Sequence, residues 1–386
     1  MRLKALGGAA LALLLTACAQ TPPPRLDLTP VAFAALPGWQ ADNIAAALSA
    51  LLRSCAIWDR AAAQPDTDRI GGAAAFGTRG DWRPVCAAAR HLPDATDATA
   101  RNFFQTYFMP LAVSDRGKTD ALVTGYYEPI LEGARIRSDA FQTPLLKLPP
   151  DPSRHATRAE IEGGALDRFH LALAWVDPIE AFFLQIQGSG RIRFADGTEM
   201  RVLYAGSNGA AYVSLGRVLV TCGTMTTEQV SLASLKSWLR DHPDQAKTLM
   251  DANPSYVFFQ TRPGEGPLGT QGTVLSPGRS LAVDPEFYLL GAPIFVDLAQ
   301  PGQAPIQRLT LAQDTGGAIK GVLRGDVFWG AGDSAGAQAG GMRAFGRYYV
   351  LLPKTLDGQA GVRDDRVNSS LEPPLKSRIN EVTCPL

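Results

Sequence analysis

Apolar positions recur at helical spacing near the start of the chain and at strand spacing further on. Ile44 to Leu52 keeps a 3.6-residue period behind Asp42, a side chain suited to an N-cap. Trp82 to Arg90 and Ala98 to Met109 predict two more helices. The last carries Phe103, Phe104, Tyr107 and Phe108 largely on one face, as a core stripe requires. From Val123 onward, short β-type runs are separated by Gly, Asp and Pro: Val123 to Pro129, Phe182 to Gln187, Arg191 to Phe194, Arg201 to Tyr204 and Tyr256 to Gln260. Ala195-Asp196-Gly197 is set for a tight hairpin between two of them. One helix interrupts, Leu232 to Arg240, with Trp238 and Leu239 inward and Asp241-His242-Pro243 behind it. Strands resume at Ser280 to Asp284, Ile294 to Leu298, Gln307 to Gln313, Val327 to Trp329 and Arg347 to Leu352. So many short strands, with 38 Gly and 28 Pro to turn them, predict barrels rather than a doubly wound sheet.

The N-terminus changes the picture of where such a protein works. Arg2 and Lys4 precede an apolar run, Ala5 to Leu15, too short for a stable span but suited to a signal peptide over residues 1–17. Leu15-Thr16-Ala17-Cys18 resembles a lipobox, in which the Cys18 thiol takes a diacylglycerol. Ala19 rather than Asp follows, which by resemblance to bacterial lipoproteins points to the outer membrane, with the protein facing the periplasm. Residues 18–37 are then a lipidated N-terminus and linker, with Thr21-Pro22-Pro23-Pro24 as an extended spacer.

Composition narrows the classes further. With 386 residues the chain is long enough for two domains, and a formal net charge of +0 leaves no basic stripe for nucleic acid. Beyond Cys18 the cysteines are Cys55, Cys86, Cys222 and Cys384, an even number for an oxidising compartment. Cys55 closes one helical pattern and Cys86 opens another, which favours a bridge between them and leaves Cys222 with Cys384. No CxxC and only 4 His argue against a metal centre, and no cofactor signature is present.

Candidate chemistry concentrates between Leu309 and Leu352. Asp314-Thr315-Gly316-Gly317 opens a glycine-dense frame holding Asp326 and Asp333, spaced 12 and 7 positions apart. Glycines let backbone approach a ligand closely, Trp329 offers an apolar face for a sugar ring, and an acid among Val327, Phe328 and Trp329 is partly desolvated. Taken alone, the same Gly-Asp pairs serve equally as turns.

These residues resemble the membrane-bound lytic transglycosylase A family, whose C-terminal module is called the 3D domain after its three aspartates. The likeness extends to TGYYEP (Thr124 to Pro129), FFLQIQGSGRI (Phe182 to Ile192), YAGSNGAAYVSLGR (Tyr204 to Arg217), NPSYVFF (Asn253 to Phe259) and LSPGRSLAVD (Leu275 to Asp284), and spans residues 38–355. It implies a double-psi β-barrel domain from residues 38–127 and 256–386 (the 3D module at about 280–355), with a smaller β-domain inserted at 128–255 and a groove between them. It also implies a lyase acting on the glycan strands of peptidoglycan, in which the C6 hydroxyl of muramic acid displaces the leaving sugar from its own C1.

Because the substrate brings its own tethered nucleophile, one carboxyl suffices where ordinary glycosidases need two. By resemblance that carboxyl is the middle aspartate, Asp326, with Asp314 and Lys320 shaping the site and Asp333 supporting it. Tyr126, Tyr127, Gln187, Ser189, Gly190 and Trp329 are the expected sugar contacts. Gln185 stands where the family has a histidine, so no role is carried over to it. Glu128, held extended by Pro129, fits a strand brace better than an acid. Expected partners are glycan strands, the outer membrane through the lipid, and other cell-wall enzymes. Two rival readings remain. One is a wall-binding lipoprotein without catalysis. The other is an aspartic-type protease built on Asp314-Thr315-Gly316, which needs a second copy of the tripeptide from a homodimer.

Overall fold

The computed structural model describes residues 22–60, 65–92, 94–151, 155–264, 266–357 and 384–385. The signal sequence, Cys18 and most of the C-terminal tail lie outside them. Among the described residues no helix is long and apolar enough to cross a membrane.

Strand β1 (Leu26–Pro30) pairs antiparallel with β2 (Phe108–Asp115), and three helices fill the chain between them: α1 (Ala45–Arg60), α2 (Arg79–Arg90) and α3 (Asp97–Tyr107). Helix α1 runs eight residues past the predicted Leu52 because Cys55 is still on its buried face, and it is bonded there to Cys86 of α2. Phe103, Phe104 and Phe108 are core, while Tyr107 is turned out. Asp42 is not the cap of α1. Its carboxylate receives Arg279 through Nη1 (2.9 Å) and Nη2 (2.6 Å), and also the Leu309 amide (2.8 Å). The Ala45 amide bonds instead to Asp97 of α3.

Strand β3 (Ala121–Glu128) leads into a second lobe made of β4 (Ile130–Ala134), β5 (Thr143–Leu146), the single turn α4 (Arg158–Glu160), β6 (Ala172–Val176), α5 (Pro178–Gln187), β7 (Ser189–Arg193), β8 (Glu199–Ser207), α6 (Leu215–Thr221), α7 (Leu232–Asp241), α8 (Pro243–Asp251) and β9 (Val257–Thr261). The chain returns through β10 (Ser280–Ala282), β11 (Pro293–Ala299), β12 (Ile306–Asp314), β13 (Arg324–Ala331), α9 (Gly332–Gly340) and β14 (Arg343–Pro353).

The first lobe's sheet has the order β1-β2-β14-β11-β12-β10-β13-β3, and β14 also pairs with β3, so six strands return on themselves. The second lobe's sheet runs β5-β6-β4-β7-β8-β9. The fold is sheet-rich with helices in both lobes.

The second lobe departs from the expected β-insert, interrupted by the one helix Leu232 to Arg240, at α5, predicted as a strand. Asp177 caps this helix by accepting from the Ile179 and Glu180 amides, Pro178 starts it, and Gly188 ends it at φ 77°. The misreading has a packing cause. Ile179, Phe182 and Phe183 join one apolar cluster with α6 to α8, while Ala181 and Leu184 join another with the sheet. A helix buried on two sides loses its polar stripe, and its sequence then reads as the continuous apolar run of a buried strand. Cys222 at the end of α6 is bonded to Cys384, which ties the end of the chain to this lobe.

Candidate active site

Strands β3 and β13 run parallel, with Thr124 beside Asp326 and Tyr126 beside Phe328. Strand alternation sends Asp326 and Phe328 to the same face as Thr124 and Tyr126, and sends Val327 and Trp329 to the other. Trp329 is half-buried there, its ring under the Arg308 guanidinium at 5.3 Å and its N–H donated to the Met342 sulfur. The alternation therefore separates Trp329 from the acid it was expected to flank.

Asp326 is recessed without being sealed. Its Oδ1 accepts from the Thr124 hydroxyl at 2.8 Å, and Thr124 Oγ1 in turn accepts from Arg324 Nη2 at 2.9 Å. Among the described residues no donor is placed on Oδ2. Burial pushes the Asp326 carboxyl up to about 7, with Arg324 and the Thr124 bond pulling down and the charge of Asp314 adding a push upward. A carboxyl of this kind holds a proton near neutrality and has one oxygen available to deliver it.

Asp314 is tethered on both oxygens. Oδ1 accepts from the Thr270 amide (2.9 Å), the Thr270 hydroxyl (3.0 Å) and the Thr315 amide (2.9 Å), and Oδ2 accepts from the Tyr126 hydroxyl (2.8 Å). Burial raises its pKa despite these bonds, and burial likewise raises the Tyr126 phenol, whose ring rests on Phe328 at 5.3 Å. Two hydroxyls two residues apart on β3 thus serve two carboxylates. An aspartate so fully bonded fits a loop anchor and not the water-activating residue of a protease.

The remaining predicted residues scatter. Lys320 is largely exposed, and its carboxylate partner is Asp284 at 3.9 Å rather than Asp314. Asp333 is exposed in the first turn of α9, where its charge suits the helix N-terminus. The Tyr127 ring is buried against Ala335 and Ala339 of α9 with Leu232 of the second lobe, so it packs the seam and does not face the recess. Burial, then the charges of Glu180 and Asp333, push its phenol up to about 12. Gln187 ends α5 and accepts the Tyr127 amide at 3.1 Å. Gly190 is a close-packing position, since a Cβ there would lie 2.4 Å from Leu184, while Ser189 beside it is half-buried at the start of β7.

Glu128 is fully buried, with Arg191 Nε and Arg201 Nε each at 2.9 Å. Buried Gln185 accepts from Arg158 at 2.6 Å, inside the second lobe. Sequence reasoning passed over Thr124 and Arg324. The signal was available, because alternation through Thr124-Gly125-Tyr126 puts the threonine on the tyrosine's face.

A β-rich, two-lobed body with one open, proton-holding carboxyl on its first lobe defines the class. Within that class, residues 122–260 match the model of the MltA specific insert domain, and residues 279–352 match the 3D domain. The chain is 35% identical over 249 residues to membrane-bound lytic murein transglycosylase A of Escherichia coli K12, covering 62% of this chain and 67% of that one. The Vibrio cholerae protein of the same name is 36% identical over 241 residues, 60% and 65% of the two chains. Among solved structures, the membrane-bound lytic murein transglycosylase of Agrobacterium tumefaciens superposes with a TM-score of 0.76 at 30% identity, over 86% of this chain and 99% of that one. E. coli MltA with bound chitohexaose gives 0.67 at 27% identity, over 86% and 95%. The chain belongs to the membrane-bound lytic murein transglycosylase A family.

Proposed function

We propose that this protein cleaves the β-1,4 bond between N-acetylmuramic acid and N-acetylglucosamine in peptidoglycan, with Asp326 as the single acid and base. The observation that carries this reading is the Asp326 carboxyl, bonded at Oδ1 to Thr124, open at Oδ2 and pushed up to about 7. Protonated Oδ2 gives its proton to the glycosidic oxygen as the bond to C1 breaks. The C6 hydroxyl of the same muramic acid then attacks C1 and returns its proton to Asp326. No water is consumed, and the product carries a 1,6-anhydro end. Arg324 and Thr124 hold the carboxyl and limit how far burial raises its pKa, while Asp314 and Tyr126 fix the neighbouring loop.

In this reading the six strands that return on themselves are a double-psi β-barrel, and the glycan lies between it and the inserted lobe, spanning roughly residues 128–255. The E. coli relative with bound chitohexaose supports a glycan ligand, and the relatives' membrane-bound names support membrane association. Lipid on Cys18 would supply that association from the periplasmic side of the outer membrane. The test is mass spectrometry of the products released from isolated sacculi. Anhydro-muramic ends that vanish with Asp326→Asn support the proposal. Reducing ends would mean that water is the nucleophile, and no release at all would leave only a wall-binding role.

A further inference from the structure

Two buried phenols pack side by side in the core of the first lobe, and the fold treats their hydroxyls differently. The Tyr288 and Tyr348 rings meet edge to face at 6.4 Å, and both side chains are fully buried. Tyr288 donates its proton to the Val322 carbonyl at 2.6 Å, just ahead of β13. The Tyr348 hydroxyl has no hydrogen-bond partner among the described residues. A buried hydroxyl without a partner costs stability, and a phenylalanine would fill the same space without that cost.

Tyr348 lies on β14, and its hydroxyl rests against Gly325, where any Cβ would overlap the phenol oxygen. Gly325 is the residue between Arg324 and Asp326 on β13. Its carbonyl accepts from Arg324, whose Nη2 also bonds the Thr124 hydroxyl that Asp326 accepts. Strand alternation points Gly325 toward Tyr348 and Asp326 away from it, so the hydroxyl backs the acid across one strand. The phenol feels both charges. Burial raises its pKa most, Arg324 pulls it down, and Asp326 pushes it up. It therefore keeps its proton at any working pH. With no bond to break, the O–H is free to rotate, and in a dry core its dipole acts over that distance.

We propose that Tyr348 is a positioning residue for the reaction, its unpaired hydroxyl turning behind Gly325 to favour the carboxylate that Asp326 becomes once its proton is given away. This rests on the proposed function above. The response needs no rearrangement of the neighbouring side chains, since only one proton moves about the C–O bond.

The test follows the Asp326 titration in the full-length protein without substrate. The unfolding free energy of the parent minus that of Asp326→Asn falls as pH rises, and the pH at which it levels off marks the folded carboxyl. The same difference is then taken with Y348F in both members. The levelling should move up by about half a pH unit, and kcat on sacculi should fall by the matching factor of about three with KM unchanged. Y348F should unfold at an equal or higher denaturant midpoint, because no bond is lost. Y288F is the control. It loses the bond to Val322, so it should unfold earlier and leave the Asp326 titration in place. An unmoved titration in Y348F overturns the inference. So does a loss of stability there, which would give the hydroxyl a structural partner. An equal shift in Y288F also overturns it, since the effect would then come from loosening β13. The stability readout needs no substrate, so the two readings fail separately. Anhydro ends from the parent with an unmoved titration leave the proposed function intact and sink the role of Tyr348. A titration that moves while sacculi yield no anhydro ends keeps Tyr348 coupled to Asp326 and defeats the proposed reaction.

Discussion

Asp326 and Glu128 lie along the same pair of parallel strands, Asp326 beside Thr124 and Glu128 beside Ala331, and the fold treats them in opposite ways. Glu128 is fully buried, and each of its oxygens meets an arginine at 2.9 Å. Asp326 receives one hydroxyl, keeps one oxygen open, and is pushed up to about 7. Its nearest cation, Arg324, acts on it across the threonine. Direct pairing makes a buried carboxylate a brace, whereas pairing through an intervening hydroxyl leaves a proton in play near neutral pH.

The contrast breaks most sharply at the acid. Asp326→Asn should lower turnover on sacculi by about a thousandfold, read as loss of soluble muropeptide release. Glu128→Gln should instead act on stability, because it leaves two arginines at the lobe seam without their counter-charge. A loss of about 3 kcal/mol in denaturant unfolding is expected, the figure being moderated by the arginines' partial exposure.

Asp326→Asn should also stabilise the fold in a pH-dependent way. The folded pKa is raised, so the stability tied to this group is full below the ordinary carboxylate range and is lost as pH rises through about 7. The asparagine variant should therefore match the parent at pH 4 and exceed it by about 1–2 kcal/mol at pH 8, the opening to solvent reducing the gain. Matching stability curves at both pH values would mean that Asp326 titrates as an ordinary surface acid.

Thr124→Val tests the link between Arg324 and the acid. Removing the donated bond lets burial raise the carboxyl further, so the alkaline limb of kcat/KM should move to higher pH while kcat drops by about tenfold. Lys320→Ala should change activity by less than about twofold, since that ammonium is exposed and faces Asp284 at 3.9 Å.

Most strands and the three early helices are legible because their apolar periods survive in one dimension, whereas the catalytic candidate comes from the family resemblance, since the Gly-Asp pairs alone serve equally as turns. The amino-acid sequence by itself determined the family and much of the order of elements, and through the family resemblance it points to Asp326 as the proposed acid. Helix α5 was not legible, since two separate cores claim its opposite sides and erase the polar stripe that marks a surface helix. Nor was the fate of Asp42, whose partners Arg279 and Leu309 lie more than two hundred residues away.

Only the tertiary structure turned Tyr127 into the seam, set Thr124 beside Asp326, and brought Arg191 and Arg201 to Glu128. The reason is that local spacing records which face a side chain takes, whereas pKa and pairing depend on what the neighbouring strands bring opposite it. Those strands come from distant parts of the chain.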